Sequence, residues 1–221
     1  MNENRAHPLL EPEAIKLLQT YAIPYPGHGV ASTSQGAVQI AEGLGYPVVL
    51  KVVSPAVLHK SDVGGVVLGL TSARGVRQAY RQIRKSVTDQ VPGAEICGVL
   101  VCRQAEPGLE VIVGALQDAL FGPTMMFGLG GVLVEVLKDV SFRVAPLDRQ
   151  EAEAMLKEIQ GYPLLKGVRG QPGVDIHALA DLLVKVAQMI TEHHEVRELD
   201  LNPVRVYDKG VLVLDARILT N

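Results

Sequence analysis

The segment Val48–Leu70, VVLKVVSPAVLHKSDVGGVVLGL, sets one lysine inside an apolar run and then places His59, Lys60, Ser61 and Asp62 before a Gly64–Gly65 pair. Apolar runs at both ends read as strand, loop, strand. PVVLKVV is apolar on both faces, so it reads as a central strand, where Lys51 needs an anionic partner; on an edge strand the same lysine would guard against unwanted pairing. A nucleotide phosphate would supply the anion. The loop suits that ligand, because glycine N–H groups can approach phosphate oxygens while Lys60 and Ser61 add donors. On local chemistry alone such a loop is more often a solvated turn, and no G-x-x-x-x-G-K-[ST] occurs in the chain. His59 stands beside these donors, as an exposed loop histidine or as a donor, base or phosphoryl acceptor.

A second constellation closes the chain. In ELDLNPVRVYDKGVLVLDARI a four-residue turn, Tyr207–Gly210, predicts Val206 opposite Val211, Asn202 opposite Asp215 and Asp200 opposite Arg217. One sheet face then shows Asp200, Asn202 and Asp215. Mg²⁺ is held by one or two such oxygen donors, with water and substrate phosphates completing its shell. A polar hairpin face with an Asp200–Arg217 ion pair fits the spacing equally. The glycines of FGLGG (127–131) suit a second backbone cradle or a hairpin corner.

The elements that must carry these residues are helix and strand without regular βαβ alternation, an α+β pattern. Helices are expected over residues 11–20 with Pro12 in the first turn, over 34–44 between a Thr33 or Ser34 cap and a Gly45 stop, and over the basic run 72–87. Strands are expected at 96–103 and 109–116, then strand, glycine loop, strand, and a further strand near 142–145. Asp148 and Asp175 cap the last two helices. The net charge of −3 and the absence of Trp speak against nucleic acid as partner, and no apolar run is long enough to span a membrane. A cytoplasmic protein is the expectation. Cys97 and Cys102 point to opposite strand faces, suiting neither a disulfide nor shared metal ligation. His193 and His194 end a helix whose dipole they complement.

Three ordered stretches, GYPVVLKVVSPAVLHKSDVGGVVLGL, FGPTMMFGLGGVLVEVLKDVSFRVAPL and ELDLNPVRVYDKGVLVLDARI, closely resemble the β subunit of ADP-forming acyl-CoA (acetate–CoA) ligases. That subunit is an ATP-grasp module, more distantly similar to the nucleotide-binding part of the succinyl-CoA synthetase β subunit. The resemblance implies an ATP-grasp fold of two lobes clamping ATP or ADP with Mg²⁺. The small lobe would comprise residues 25–101, and the larger one residues 1–24 and 102–221 with the metal-binding hairpin.

By the same resemblance, Lys51 contacts phosphates beneath a His59–Gly65 lid that includes Lys60, Ser61, Gly64 and Gly65. Val99–Gln104 lies beside adenine, with Cys102 where distant relatives carry an acidic contact. Glu110 touches ribose or adenine, Arg143 touches phosphate, Asn202 and Asp215 hold Mg²⁺, and Asp200 is a neighbouring acid. His59 matches a second phosphohistidine, after one on a separate α subunit. The chain lacks the CoA-binding G-x-G-x-x-G and the α-side phosphohistidine segment, which implies an α2β2 heterotetramer with that partner. Two alternatives stand beside this reading. One is a self-contained ligase using an acyl-phosphate, and the other is a non-catalytic nucleotide sensor.

Overall fold

Four side chains close helix N-termini, three at expected caps and the fourth at Ser72, inside the expected helix 72–87. Thr33 Oγ1 accepts from Gly36 N at 3.0 Å, Ser72 Oγ from Gly75 N at 3.2 Å, Asp148 Oδ1 from Glu151 N at 2.8 Å and Asp175 Oδ1 from Ala178 N at 2.9 Å. Each satisfies a backbone donor that the helix cannot pair internally. The computed structural model describes residues 7–131, 138–168, 170 and 172–221. It divides into two units, a smaller one of residues 10–13 and 26–106 and a larger one of residues 1–9, 14–25 and 107–221. The division thus follows residue 106, rather than the expected residue 101, and the first turn of the first helix goes with the smaller unit.

The smaller unit holds a four-stranded antiparallel sheet in the order β2 (His28–Ala31), β5 (Gly98–Arg103), β3 (Val48–Val53), β4 (Val66–Leu70). Helices α2 (Ser34–Leu44) and α3 (Ala73–Gln90) cover one face. Ala37, Val38 and Ala41 from α2 and Val76, Ile83 and Val87 from α3 pack on Val48, Leu50, Val52, Val99 and Val101. Burying each large aliphatic side chain contributes roughly 1.5–3 kcal/mol. Strand alternation therefore turns Val49, Lys51, Val53, Leu100 and Cys102 to the face that neither helix covers.

In the larger unit, six strands run in the order β1 (His7–Pro8), β11 (Ala216–Thr220), β9 (Val196–Val206), β6 (Leu109–Asp118), β7 (Gly122–Leu129), β8 (Val140–Val144), and β10 (Val211–Val213) pairs with β9. The Ala14–Thr20 part of α1 (Glu11–Thr20), with α4 (Arg149–Glu158) and α6 (Ile176–Glu192), packs on one face; the short α5 (Tyr162–Leu165) adds buried Leu165. Val111, Val113 and Ala115 point into this core, and so do Leu199, Leu201, Val204 and Val206. The period of β9 slips between Leu201 and Val204. Val111 is opposite Val204 but Val113 is opposite Leu201, so β9 carries one extra residue, a bulge at Asn202–Pro203. No helix among the described residues is long and apolar enough to cross a membrane. The strand expected after FGLGG falls largely on 132–137, outside the described residues.

Candidate functional site

Lys51 sits mid-strand in β3 and is 7% exposed. A buried ammonium needs a partner, and here it is a carboxylate. Lys51 Nζ donates to Glu11 Oε1 at 2.6 Å, and Lys60 Nζ lies 3.3 Å from Glu11 Oε2. The Glu11 side chain is 2% exposed. Two cations from separate elements, a strand and a loop, thus meet at one carboxylate in the first turn of α1. Sequence reasoning expected phosphate donors at both lysines but missed Glu11. The one available signal was an acidic residue opening a predicted helix.

The paired glycines shape this loop rather than line it with donors. Gly64 N donates to Ser61 O at 3.1 Å and Gly65 N to Lys60 O at 2.7 Å, while Gly65 O accepts from Val52 N at 2.7 Å. Both glycine N–H groups are therefore engaged within the loop, which corrects the expectation that they face a phosphate. Gly64 has φ +63°, and a Cβ there would come 2.6 Å from Ser86 Oγ. At Gly65 a Cβ would stand 2.7 Å from Val52 Cγ1 and 2.8 Å from Lys60 O. Ser86 Oγ in turn donates to Val63 O at 2.9 Å, fastening the loop to α3. His59, Ser61 and Asp62 on the same loop are exposed.

Cys102 shares with Lys51 the sheet face opposite α2 and α3. In the β3–β5 ladder Cys102 is opposite Val49 and Lys51 is opposite Leu100, which puts cysteine and lysine one same-face step apart along the ladder. Cys102 is buried, whereas Cys97 is exposed outside β5.

The hairpin of the larger unit adopts the expected register. Val206 is opposite Val211 and Asp200 opposite Arg217. Asn202 N donates to Asp215 O at 3.2 Å, and Tyr207 N to Gly210 O at 3.1 Å across the four-residue turn. Asp200 and Asn202 on β9 are thus brought beside Asp215, which lies in the step between β10 and β11, and none of the three is buried. Arg217, the partner that a purely polar face would give Asp200, donates to Glu198. Among the described residues there is no group of three or more His, Cys, Asp and Glu side chains that could hold a metal. An Asp–Asn–Asp set is a different kind of site. Two carboxylates and an amide oxygen fit a hard cation that keeps water and phosphate ligands.

Glu110 and Arg143 both form ion pairs within the chain. Glu110 Oε1 accepts from Arg205 Nη2 at 2.9 Å, a cross-strand ion pair on the helix-free face of the larger sheet. Gly130 N donates to Glu110 O at 2.7 Å, and a Cβ on Gly130 would lie 2.9 Å from the Glu110 carbonyl carbon. Gly130 is thereby a close-approach corner and not a donor cradle. Arg143 lies on the helix-covered side with Ser141, whose Oγ donates to Met155 O at 2.8 Å. Its guanidinium grips Glu158 and reaches Glu151 at 3.3 Å. The hydrogen bond with Glu158 holds Arg143 above its ordinary pKa and Glu158 below its own. Within the larger unit Arg143 thus lies on the opposite side of the sheet from Asp200 and Asn202, with its guanidinium engaged by Glu158 and Glu151.

A family model described as an ATP-grasp domain matches residues 1–219. The chain is 46% identical over 217 residues to the acetate–CoA ligase (ADP-forming) I subunit beta of Pyrococcus furiosus, covering 98% of this chain and 93% of that one. Among solved structures, it superimposes with a TM-score of 0.95 and 51% identity on acetyl-coenzyme A synthetase 1 of Ca. Korarchaeum cryptofilum in complex with coenzyme A and Ca-AMPCP, over 97% of this chain and 94% of that one. A second structure of that enzyme, with coenzyme A, Mg-AMPPCP and its phosphohistidine segment pointing towards the nucleotide binding site, matches with a TM-score of 0.84 and 47% identity over 97% and 93% of the two chains.

Proposed function

Because the chain belongs to the ATP-grasp family, and within it to the β subunits of ADP-forming acetate–CoA ligases, we propose that it is the nucleotide-binding subunit of such a ligase. The complete reaction converts an acyl-CoA, ADP and phosphate into a carboxylic acid, CoA and ATP. This chain holds ATP or ADP with Mg²⁺ and exchanges phosphate with a phosphohistidine of a separate CoA-binding α subunit, in a cytoplasmic α2β2 assembly. The observation that carries the reading is the Lys51–Lys60 pair around one buried carboxylate, with Lys51 on the sheet face opposite α2 and α3.

The residues divide the work by chemistry. Lys51 and Lys60 present ammonium donors to phosphate oxygens, with Ser61 beside them. The face bearing Cys102 also carries Lys51, Val49, Leu100 and, opposite Cys102, His28, a mainly apolar surround that suits a purine ring. Asn202 and Asp215, with Asp200 next to them, hold Mg²⁺, whose charge offsets that of the phosphates. His59 is the candidate second carrier. Its unprotonated ring nitrogen forms an N–P bond as the P–O bond to the departing ADP oxygen breaks, and that electron pair leaves with ADP.

Reconstitution tests this. The full chain, mixed with a cognate CoA-binding subunit and γ-labelled ATP, is expected to move acid-labile label onto a histidine of that subunit and to release CoA from acyl-CoA only when ADP is present. Label confined to ATP and free phosphate would refute the reading. His59→Ala is expected to cut transfer at least tenfold while Mg–ADP binding persists, and unimpaired transfer would remove His59 from the route.

A further inference from the structure

Helix α3 presents two opposed faces. Val76, Ala79, Tyr80, Ile83 and Val87 are buried against the sheet of the smaller unit. At roughly 3.6 residues per turn, Arg74, Arg77, Arg81, Arg84 and Lys85 fall within an arc of about 100° on the other side, and the line from Arg74 to Arg84 is about 15 Å long. Arg74, Arg81 and Arg84 are exposed and Arg77 is half-buried. Five basic side chains against the one acid, Asp89, give α3 a net charge of +4 in a chain whose net charge is −3. Lys85 pairs with Asp89 at 2.7 Å, but among the described residues no carboxylate pairs with the four arginines. Arg77 Nη2 reaches Gln35 Oε1 at 3.5 Å, and Arg84 lies over the Tyr80 ring at 5.9 Å, both neutral groups. A merely solvated helix face mixes signs, as α4 does, where Glu153 stands 4.0 Å from Arg149 and 3.9 Å from Lys157. Like charges three and four residues apart repel along a helix, so α3 holds a repulsion that an acidic neighbour would relieve.

We propose that the arginine line of α3 is a docking surface for an acidic protein face, carried by the separate CoA-binding subunit. This rests on the reading above that such a subunit completes the enzyme. Guanidinium groups suit the role, because each offers a planar fork that takes a carboxylate through two hydrogen bonds. A row of Asp and Glu side chains along one element of the partner would match the line charge for charge. Two other polyanions fit these residues less well. A nucleic-acid strand calls for an aromatic platform, whereas Tyr80, the one aromatic of α3, is 6% exposed and donates its hydroxyl to Ser32 O at 2.6 Å. An anionic bilayer calls for apolar side chains that enter it, and those of α3 are buried in the core. The face also leaves the nucleotide groups free. Lys51 lies on the side of the sheet opposite α3, so a partner seated on the outer side of the helix does not cover it. Two chains that must meet by diffusion gain from such a patch, since facing charges raise the association rate and fix orientation before short-range contacts form.

Binding kinetics of the full chain to its cognate CoA-binding subunit supply the test, at about 0.05 M and about 0.5 M salt, where screening is weak and strong. The parent is compared with a variant carrying Arg74→Gln, Arg77→Gln, Arg81→Gln and Arg84→Gln, and with a control carrying Arg149→Gln and Lys157→Gln on α4. The arginine variant is expected to bind the subunit at least tenfold more weakly at low salt, through slower association, and to lose most of the salt dependence that the parent shows. Its Mg–ADP affinity should stay within twofold of the parent's, and its melting temperature should not fall, because the removed charges repel one another. Should it fail to fold, the pairs Arg74→Gln/Arg77→Gln and Arg81→Gln/Arg84→Gln carry the test, each with a smaller loss. The control should change subunit affinity less than twofold. Unchanged subunit binding in the arginine variant, or an equal loss in the control, would overturn the inference while the subunit reading stands. No binding by the parent at either salt would remove the partner, and with it both the reading and this inference. If the arginine variant instead loses binding to an RNA duplex or to vesicles of anionic lipid, with subunit binding untouched, the face belongs to that polyanion and the proposal falls.

Discussion

Replacing Gly65 by alanine adds one methyl group where two neighbours already stand. The new Cβ would lie 2.7 Å from Val52 Cγ1 and 2.8 Å from the Lys60 carbonyl oxygen. Carbon–carbon contacts have their optimum near 3.5–4.0 Å, so both neighbours must give by the better part of an ångström. Val52 is 1% exposed, and as a β-branched residue in a strand it has little rotamer freedom. The Lys60 oxygen is held by Gly65 N at 2.7 Å, so its displacement breaks the turn. Overpacking of this kind costs about 1–3 kcal/mol, and the lost turn bond adds about 1 kcal/mol. A loss of about 3 kcal/mol is expected in urea unfolding, with the denaturant slope unchanged. Because the displaced residue carries the ammonium beside Glu11, Mg–ADP affinity should fall as well. Gly43→Ala is the control. It lies inside α2 with nothing within 4 Å of the added methyl, and should stabilise by about 0.5–1 kcal/mol. If Gly65→Ala proves as stable as the parent while the control behaves, the tight loop is not what holds Lys60.

Lys51→Met should cost about 3 kcal/mol in the same assay, because it removes the ammonium bonded to the buried Glu11 carboxylate. A joint Glu11→Met/Lys51→Met variant should lose less than the sum of the two single changes, and additivity would show that the pair is not coupled. Asp215→Asn should raise the Mg²⁺ concentration for half-maximal nucleotide binding about tenfold, and an unchanged Mg²⁺ titration would remove Asp215 from the metal site. Arg143→Met should leave Mg–ADP affinity within twofold, since its guanidinium is engaged with Glu158. Asp175 is held below its ordinary pKa of 3.8 by backbone N–H groups, Ala178 first and then Gly210. A depressed carboxyl pKa contributes stability that is present above the unfolded value and lost as pH falls through the folded one. Asp175→Asn keeps the helix cap, so its stability should fall less steeply than the parent's below about pH 4.

What could be read in advance was what local rules govern. Caps at Thr33, Asp148 and Asp175 follow from side-chain length and offset, and the terminal hairpin follows from counting around a four-residue turn. The bulge at Asn202–Pro203 left that register intact because it shifts β9 against β6, not against β10 and β11. The short strand His28–Ala31 was hidden among prolines and glycines, and its partner Val99–Cys102 lies some seventy positions away. Glu11 escaped for the same reason, since nothing near Lys51 in sequence announces a carboxylate forty residues earlier. For Arg143 the strand could be expected but not the facing of its side chain. Only the pairing of Ser141 with α4 settles that. The diglycine was noticed for its freedom, but its use lies in close packing against Val52 and Lys60.

The extra residue in β9 lets a single eleven-residue ribbon answer two demands at once. Upstream, Leu199 and Leu201 fill the interior while Asp200 and Asn202 look away from it; downstream, Val204 and Val206 fill it again while Arg205 meets Glu110. A strictly alternating strand would have to turn either its aliphatics or its oxygen donors the wrong way past that point. Trimming a codon there would invert everything beyond it, sending two valines into solvent and an arginine into the interior, so shortening should be tolerated far less at this step than at any exposed turn.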